Sequence, residues 1–107
     1  MEITIQYFDG CPNWLTTRRD VTALVEELGL GAEIAYVQVE TPEAAEEHEF
    51  RGSPTVLIDG VDPFAQADAP VGLTCRVYVT EKGPAGSPSV SQLRTALAAG
   101  HHDGDQS

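Results

Sequence analysis

The sequence is poor in basic residues and has no long apolar run. It holds 6 Lys plus Arg against 17 Asp plus Glu, which gives a formal net charge of −11 at pH 7. A field of that sign repels phosphate backbones and anionic lipids, so we expect no nucleic-acid or membrane partner. No stretch approaches the ~20 apolar residues of a membrane span, and Met1 leads into a predicted strand without the basic start of a signal peptide. We therefore expect a soluble, cytoplasmic protein.

Cysteine is also scarce, since the 107 residues contain only Cys11 and Cys75. A chain of this length supports one compact domain, which we place at residues 1–100. In a reducing compartment, two cysteines argue against a structural disulfide and favour catalytic or metal-binding use. The tail, residues 101–107, lacks apolar residues and is predicted to be disordered. Its two histidines lack further ligands, and we predict neither a metal site nor a cofactor.

Cys11 lies where a strand is predicted to turn into a helix. Residues 3–8 alternate with the period of a strand, and Pro12 occupies a first helical position. Apolar residues then recur at helical spacing, at Leu15, Val21, Leu24, Val25 and Leu28. The unpaired N–H groups and the dipole at a helix N-terminus favour a thiolate, although neighbouring Asp9 opposes it. We predict that Cys11 is a nucleophile at a partly exposed helix start.

The remaining patterns predict alternating strands and helices. They are, in chain order, a strand at 33–39, a helix from 42 to about 50 capped by Thr41, a strand at 55–58 ended by an Asp59-Gly60 turn, a long excursion at 61–74, a strand from Cys75 to Thr80, and a helix begun by a Ser89/Gln92 capping box and ended at Gly100. Ser53-Pro54 stands directly before the third strand. A proline there lacks the backbone N–H that would donate a hydrogen bond in the sheet, so we expect it to have a role other than strand pairing.

The element order, with a cysteine after the first strand and a proline before the third, resembles the thioredoxin-like fold over nearly all of residues 1–100. The resemblance implies an α/β, βαβαββα three-layer sandwich with a mixed four-stranded sheet. It also implies that Cys11 is the nucleophile, that the Ser53-Pro54 bond is cis, and that backbone groups beside the proline hold an extended sulfur-bearing substrate. The resemblance assigns substrate binding to Pro12, Ser53, Pro54 and Thr55. We add Trp14 to this set, because it is expected to cover the nucleophile.

The sequence departs from the thioredoxin pattern where a second cysteine is expected. Trp14 occupies the place three residues after Cys11, so a neighbouring thiolate cannot resolve a mixed disulfide. Cys75 is the possible second thiol. If the third and fourth strands pair antiparallel, five residues at about 3.3 Å each put Cys75 some 15 Å from Cys11, too far for a disulfide. The 61–74 excursion could move the start of the fourth strand. Two alternatives for Cys75 therefore remain, a pair with Cys11 or a buried cysteine in the core.

The chain also resembles short bacterial thioredoxin-like proteins that share a CP-x-W motif, a GSPTV segment, a DPFA stretch and a CR-x-Y strand start. Here the last two are residues 62–65 and 75–78. Some members of that group are labelled alkylmercury lyase. The leading hypothesis is monothiol redox or thiol-transfer chemistry at Cys11 on a small thiol or a disulfide-containing substrate or protein. The alternatives are a non-catalytic binding module and a mercury-binding or lyase-like protein that uses both cysteines, with Asp9 or Asp62 as a lyase's acid.

Overall fold

The computed structural model describes residues 1–65 and 71–104, which form three helices and five strands of a small α/β protein. The elements are β1 (Glu2–Tyr7), α1 (Asn13–Glu27), β2 (Glu33–Gln38), α2 (Pro42–Glu47), β3 (Thr55–Ile58), β4 (Tyr78–Thr80), β5 (Gly83–Ala85) and α3 (Val90–Gly104). The order of the predicted elements is confirmed, with β5 as an addition between the fourth strand and the last helix.

The main sheet is mixed, and β1 lies at its centre. Its strand order is β2-β1-β3, with β2 parallel and β3 antiparallel to β1. Ile5 of β1 stands opposite Tyr36 on one side and Val56 on the other. The predicted fourth strand is not part of this sheet in the described residues, because β4 pairs antiparallel with β5 in a separate two-stranded sheet. The chain just before β4 pairs instead with the residues ahead of β3.

Apolar side chains of the central sheet and of two helices form the main core. Its buried members are Ile3, Ile5, Val21, Leu24, Leu30, Val56, Ile58, Leu93 and Leu97. The strand members come from β1 and β3, and most helical members recur at three- or four-residue spacing on α1 and α3, so one face of the sheet is covered by both helices. A smaller cluster of Val39, Ala45 and Phe50 packs beside α2.

Local capping signals set several boundaries as predicted. The Thr41 hydroxyl accepts a hydrogen bond from the Ala44 N–H at 3.1 Å, and Ser89 and Gln92 bond each other's backbone N–H groups at 3.0 and 3.1 Å. Asp59 and Gly60 both have positive φ, as a tight turn requires.

Other boundaries differ from the prediction. Helix α2 ends at Glu47 rather than near residue 50, and α3 continues past Gly100 to Gly104, into the tail predicted to be disordered. Tail residues 105–107, and residues 66–70 of the predicted excursion, lie outside the described part of the chain. Within the described part, no helix has both the length and the apolar character needed to cross a bilayer.

The core predicts a contrast between two helical leucines. Leu97 is fully buried, whereas Leu15 is 44% exposed. We expect Leu97→Ala to lower the free energy of unfolding by about 2–5 kcal/mol because it leaves a cavity. Leu15→Ala, the same chemical change on a helix surface, should cost less than about 1 kcal/mol. Urea unfolding followed by circular dichroism measures both, and equal losses would contradict this assignment of the core.

Candidate functional site

Ser53 connects the two cysteine-bearing segments of the chain. Its hydroxyl accepts a hydrogen bond from the Phe8 N–H at 3.0 Å, and its carbonyl oxygen accepts from the Cys11 thiol at 3.6 Å. The Ser53 N–H donates to the carbonyl of Thr74 at 2.8 Å. The Ser53 carbonyl oxygen also accepts from the Arg76 N–H at 2.9 Å. Ser53 is itself fully buried. One residue therefore holds the loop before α1 and the chain around Cys75.

Cys11 is fully buried, so the prediction of a partly exposed helix start is wrong. Its N–H closes a turn by bonding the Phe8 carbonyl at 3.0 Å, and its thiol faces the Ser53 carbonyl. The Asn13 side-chain amide donates to the Cys11 sulfur at 3.6 Å. Pro12 caps α1 without a side-chain hydrogen bond. The sulfur thus contacts a carbonyl acceptor and an amide donor of the protein, and it is buried from solvent.

Cys75 is exposed and lies beside Cys11, not about 15 Å away as the antiparallel scheme predicted. It forms an isolated parallel bridge with Ser53. A side-chain hydrogen bond with Cys11, followed by partial desolvation and the charge of Cys11, raises the pKa of the Cys75 thiol. Residues 74–76 pair with Ser53 at the start of β3, which is also where Cys11 lies. The distance derived from an antiparallel pair of the third and fourth strands therefore does not apply. Both cysteines are free thiols.

Gly52 permits the close approach of the Cys75 segment. It has a φ of +124°, and a Cβ at this position would lie 2.8 Å from the Cβ of Arg76 and 3.1 Å from its Cα. A residue with a side chain would be strained by the backbone conformation and would push the neighbouring chain away. The glycine of the Gly52-Ser53-Pro54 stretch therefore sets the distance between the two segments.

The guanidinium of Arg76 fixes the residue after Cys75. It forms an ion pair with Asp62 at 2.7 Å, donates to the carbonyl of Phe64, and reaches the Thr55 hydroxyl at 3.4 Å. The Arg76 side chain is only 5% exposed. A buried ion pair is costly to break because removing one partner leaves the other charge unpaired. Arg76 also lies over the Tyr78 ring, 4.6 Å from its centroid.

The residues around Pro54 occupy the positions that the resemblance assigned to substrate binding. The Ser53-Pro54 bond is cis, which confirms that prediction. The Pro54 carbonyl accepts a hydrogen bond from the Tyr78 hydroxyl, and the Thr55 hydroxyl donates to the Gly52 carbonyl at 2.6 Å. Burial raises the pKa of Tyr78 well above its ordinary value, although the Arg76 cation opposes the shift.

Pro12 and Trp14 lie on the α1 side of the site. Pro12 is exposed, whereas Trp14 is half-buried and stacks on Tyr7 with ring centroids 4.0 Å apart. The guanidinium of Arg18 stands 5.3 Å from the Trp14 ring centroid. The indole therefore forms part of a packed surface at the start of the helix.

Sequence reasoning missed the roles of four residues. Asp62 and Arg76 belong to motifs noted in the sequence, but their pairing joins segments that are distant along the chain. Asn13 is recognisable only as an amide two residues after Cys11. Gly86 packs so closely that an added Cβ would lie 2.1 Å from the Asn13 side-chain nitrogen, so the β5–α3 loop supports the group that contacts the Cys11 sulfur.

The described residues do not complete a metal cluster around the thiols. No group of three His, Cys, Asp or Glu side chains suitable for a metal ion occurs in residues 1–65 and 71–104. Asp9 is exposed, and Asp62 is engaged by Arg76. A cavity of about 400 Å³ opens beside Thr55 and Asp62, but neither cysteine lines it.

Comparison of the chain with protein-family models, with curated proteins and with solved structures finds no match. The chemistry of the site therefore has to be argued from its own residues.

The interaction between the thiols predicts how Cys75 titrates. Because Cys11 raises the pKa of Cys75, we expect Cys11→Ala to move the pH midpoint of Cys75 alkylation downward, towards that of an ordinary thiol. Cys11→Ser retains a hydrogen-bonding group without the thiolate charge and should give a smaller shift. Iodoacetamide labelling followed by mass spectrometry locates the modified residue. An unchanged midpoint in Cys11→Ala would show that the two thiols do not interact.

Proposed function

We propose that this chain is a thioredoxin-like thiol protein that performs thiol–disulfide exchange with Cys11 and Cys75 as its two reacting sulfurs. The observation that carries the proposal is that a buried and an exposed cysteine both lie against Ser53: the Cys11 thiol donates to its carbonyl, and Cys75 forms a parallel bridge with it. A pair of this kind combines one sulfur that solutes reach with one that only its partner reaches. Two such thiols are what a reversible dithiol centre requires.

Several features support the thioredoxin-like part of the proposal. The central strand β1 leads through Cys11 into α1, β2 returns parallel to it, and β3 follows a cis-proline segment and runs antiparallel. Cys11 and Ser53 are in hydrogen-bond contact, so the cysteine loop lies against the residue before the cis-proline. The departure is that the second thiol comes from residue 75, while Trp14 stands at the position of the usual second cysteine.

The exchange follows from the different exposure of the two thiols. The Cys75 thiolate attacks one sulfur of a substrate disulfide, R–S–S–R, and expels one RS⁻. Cys11, as a thiolate, then attacks the Cys75 sulfur of the mixed disulfide and expels the second RS⁻. The two thiol protons pass to the two released thiolates, so the substrate gains two electrons and the protein is left with a Cys11–Cys75 disulfide. External thiols reverse the reaction and restore the dithiol.

The surroundings of the pair affect each step differently. The raised pKa of Cys75 keeps that sulfur protonated near neutral pH, so the first attack accelerates as the pH rises. The Asn13 amide donates to the Cys11 sulfur and stabilises negative charge on it during the second attack. The Ser53 carbonyl accepts the Cys11 thiol proton in the resting dithiol. Cys11 therefore acts as the internal, resolving thiol.

This mechanism predicts a distinct product for each cysteine variant. With excess bis(2-hydroxyethyl) disulfide, we expect the wild-type chain to lose two hydrogens and retain no adduct, because Cys11 resolves the mixed disulfide. Cys11→Ser should accumulate a mixed disulfide on Cys75, and Cys75→Ser should react slowly because Cys11 is buried. Intact mass spectrometry distinguishes these products. Stable adducts on both cysteines of the wild type would rule out the resolving step.

A second candidate function is the binding of a soft metal ion, which the convergence of the two thiols favours. Two thiolates satisfy the two-coordinate preference of Hg(II). Cleavage of a carbon–mercury bond also needs an acid at the metal, and Asp62 is held by Arg76. The arrangement is therefore better suited to binding than to lyase chemistry.

The metal-binding candidate predicts that both cysteines are required. Titration with Hg(II) should reach one equivalent per chain, and affinity should fall by at least about tenfold in either Cys11→Ser or Cys75→Ser, because one thiolate ligand is lost. Competition with a small-molecule dithiol measures the affinity. Undiminished binding in Cys75→Ser would remove this candidate, and a chain that neither exchanges disulfides nor binds the metal would leave the binding-module alternative.

A further inference from the structure

Residues 72–76 run alongside residues 50–53, and we refer to them as the strap. The Gly72 N–H donates to the Phe50 carbonyl at 3.0 Å, and the Ser53 N–H donates to the Thr74 carbonyl at 2.8 Å. The Arg76 N–H completes the set by donating to the Ser53 carbonyl at 2.9 Å. The two bonds of Ser53 flank Cys75 as they do at a bridge between parallel strands. Before Cys75 the strap turns, because the Thr74 N–H donates to the Gly72 carbonyl at 3.1 Å. Residues 74–76 of the strap therefore lie beside Ser53 as a short added strand would.

The strap uses both backbone hydrogen-bonding groups that lie next to the buried thiol. Ser53 is in contact with the Cys11 sulfur, and its N–H and carbonyl are the groups to which an extended polypeptide would bond while presenting a sulfur to Cys11. The Ser53 N–H is bonded to Thr74 and the carbonyl to Arg76, the two residues that flank Cys75. Cys75 forms a parallel bridge with Ser53, whose carbonyl also accepts from the Cys11 thiol, so Cys75 lies where the cysteine of a bound peptide would lie.

Side-chain contacts hold the strap in place. Arg76 anchors its end through the buried ion pair with Asp62 and the bond to the Phe64 carbonyl. Gly52 provides the space for the Arg76 backbone, since a Cβ there would overlap with it. The anchoring is chemically separate from the thiols, because the carboxylate of Asp62 accepts its hydrogen bonds from Arg76 and the Phe64 N–H.

We infer that the strap restricts this site to small disulfides and excludes polypeptide disulfides, because the chain's own residues 74–76 occupy the place of an extended peptide beside Ser53. The inference rests on the proposed thiol–disulfide exchange and specifies its substrate class. A small disulfide needs only the exposed Cys75 sulfur, and it reacts without displacing any strap hydrogen bond. A polypeptide disulfide needs room for its flanking backbone, and it competes with the strap for Ser53.

The test compares a small and a polypeptide disulfide as oxidants of the reduced, full-length chain. The probes are bis(2-hydroxyethyl) disulfide and insulin at equal disulfide concentration, and the measured quantity is the rate at which the Cys11–Cys75 disulfide forms, followed by mass spectrometry. We expect insulin to react at least about tenfold more slowly, because its flanking chain cannot bond to Ser53. Similar rates for both probes would overturn the inference while leaving the proposed exchange intact.

A variant of the anchor tests the cause of the selectivity. Asp62→Asn removes the charge that holds Arg76 and should raise the insulin rate relative to the small-disulfide rate by about fivefold or more. Glu27→Gln is the matched control, because it neutralises a carboxylate in the exposed ion pair with Arg94, away from both thiols. Faster hydrogen exchange of the Ser53 amide in Asp62→Asn would show directly that the strap has loosened.

The remaining outcomes each decide a specific point. If Asp62→Asn fails to fold, Arg76→Lys keeps the positive charge but loses the forked pair of hydrogen bonds, and the same change in rate ratio is expected. A loosened Ser53 amide without any gain in the insulin rate overturns the strap as the cause of exclusion. If neither probe oxidises the wild-type chain, both the substrate class and the proposed exchange are wrong.

Discussion

The hydrogen bonds of Ser53 are the constraint on which the site depends. Its side chain holds the turn before Cys11, and its backbone holds the residues on either side of Cys75. The two cysteines are 64 positions apart in the printed sequence, 75 less 11, so no local preference brings them together. Each bond contributes on the order of 1 kcal/mol, but a buried N–H or carbonyl left without a partner would cost more. The serine therefore stabilises the site mainly by providing partners for backbone groups of both cysteine-bearing segments.

The two thiols have opposite environments although both cysteines lie against Ser53. Cys11 is enclosed, with an amide donor on one side and a carbonyl acceptor on the other, whereas Cys75 faces solvent. The strongly negative chain also repels anionic solutes at low ionic strength. A thiol compound that carries a positive charge thus meets a more favourable field than one carrying carboxylates. Exposure decides which sulfur meets the solute first, and long-range charge decides which solutes approach.

The parts of the fold with strong local signals could be predicted from the sequence. Alternation in β1, the helical spacing of α1, the Thr41 cap and the Ser89/Gln92 capping box all act within a few residues. The cis bond before Pro54 was also predicted, from the resemblance of the segment. These features depend on contacts between chain neighbours, or on a motif short enough to be read directly.

The position of Cys75 could not be predicted, because it depends on pairing between distant segments without periodic patterns. The excursion before it shows no alternation, and the strap bonds to residues outside any strand element. The prediction extended the fourth strand back to Cys75 as an antiparallel partner of β3, which placed Cys75 at the end of the sheet away from Cys11. Gly52 is a local indication of the pairing, because its lack of a side chain leaves room for Arg76 as well as permitting its own positive φ. The ends of α2 and α3 also differed from the prediction, because propensities of at most about 1 kcal/mol per residue are too small to fix where a helix ends.

The contact between Gly86 and Asn13 links the loop after β5 to the surroundings of the buried sulfur. A side chain at residue 86 would take the space of the Asn13 amide, so a larger residue at 86 is compatible only with a smaller one at 13. The two positions should therefore vary together in natural relatives of this chain. In an alignment of such relatives, glycine at 86 should occur with asparagine at 13, and a bulkier residue at 86 with alanine or glycine at 13. That covariation would be evidence for this contact that needs no measurement on the protein.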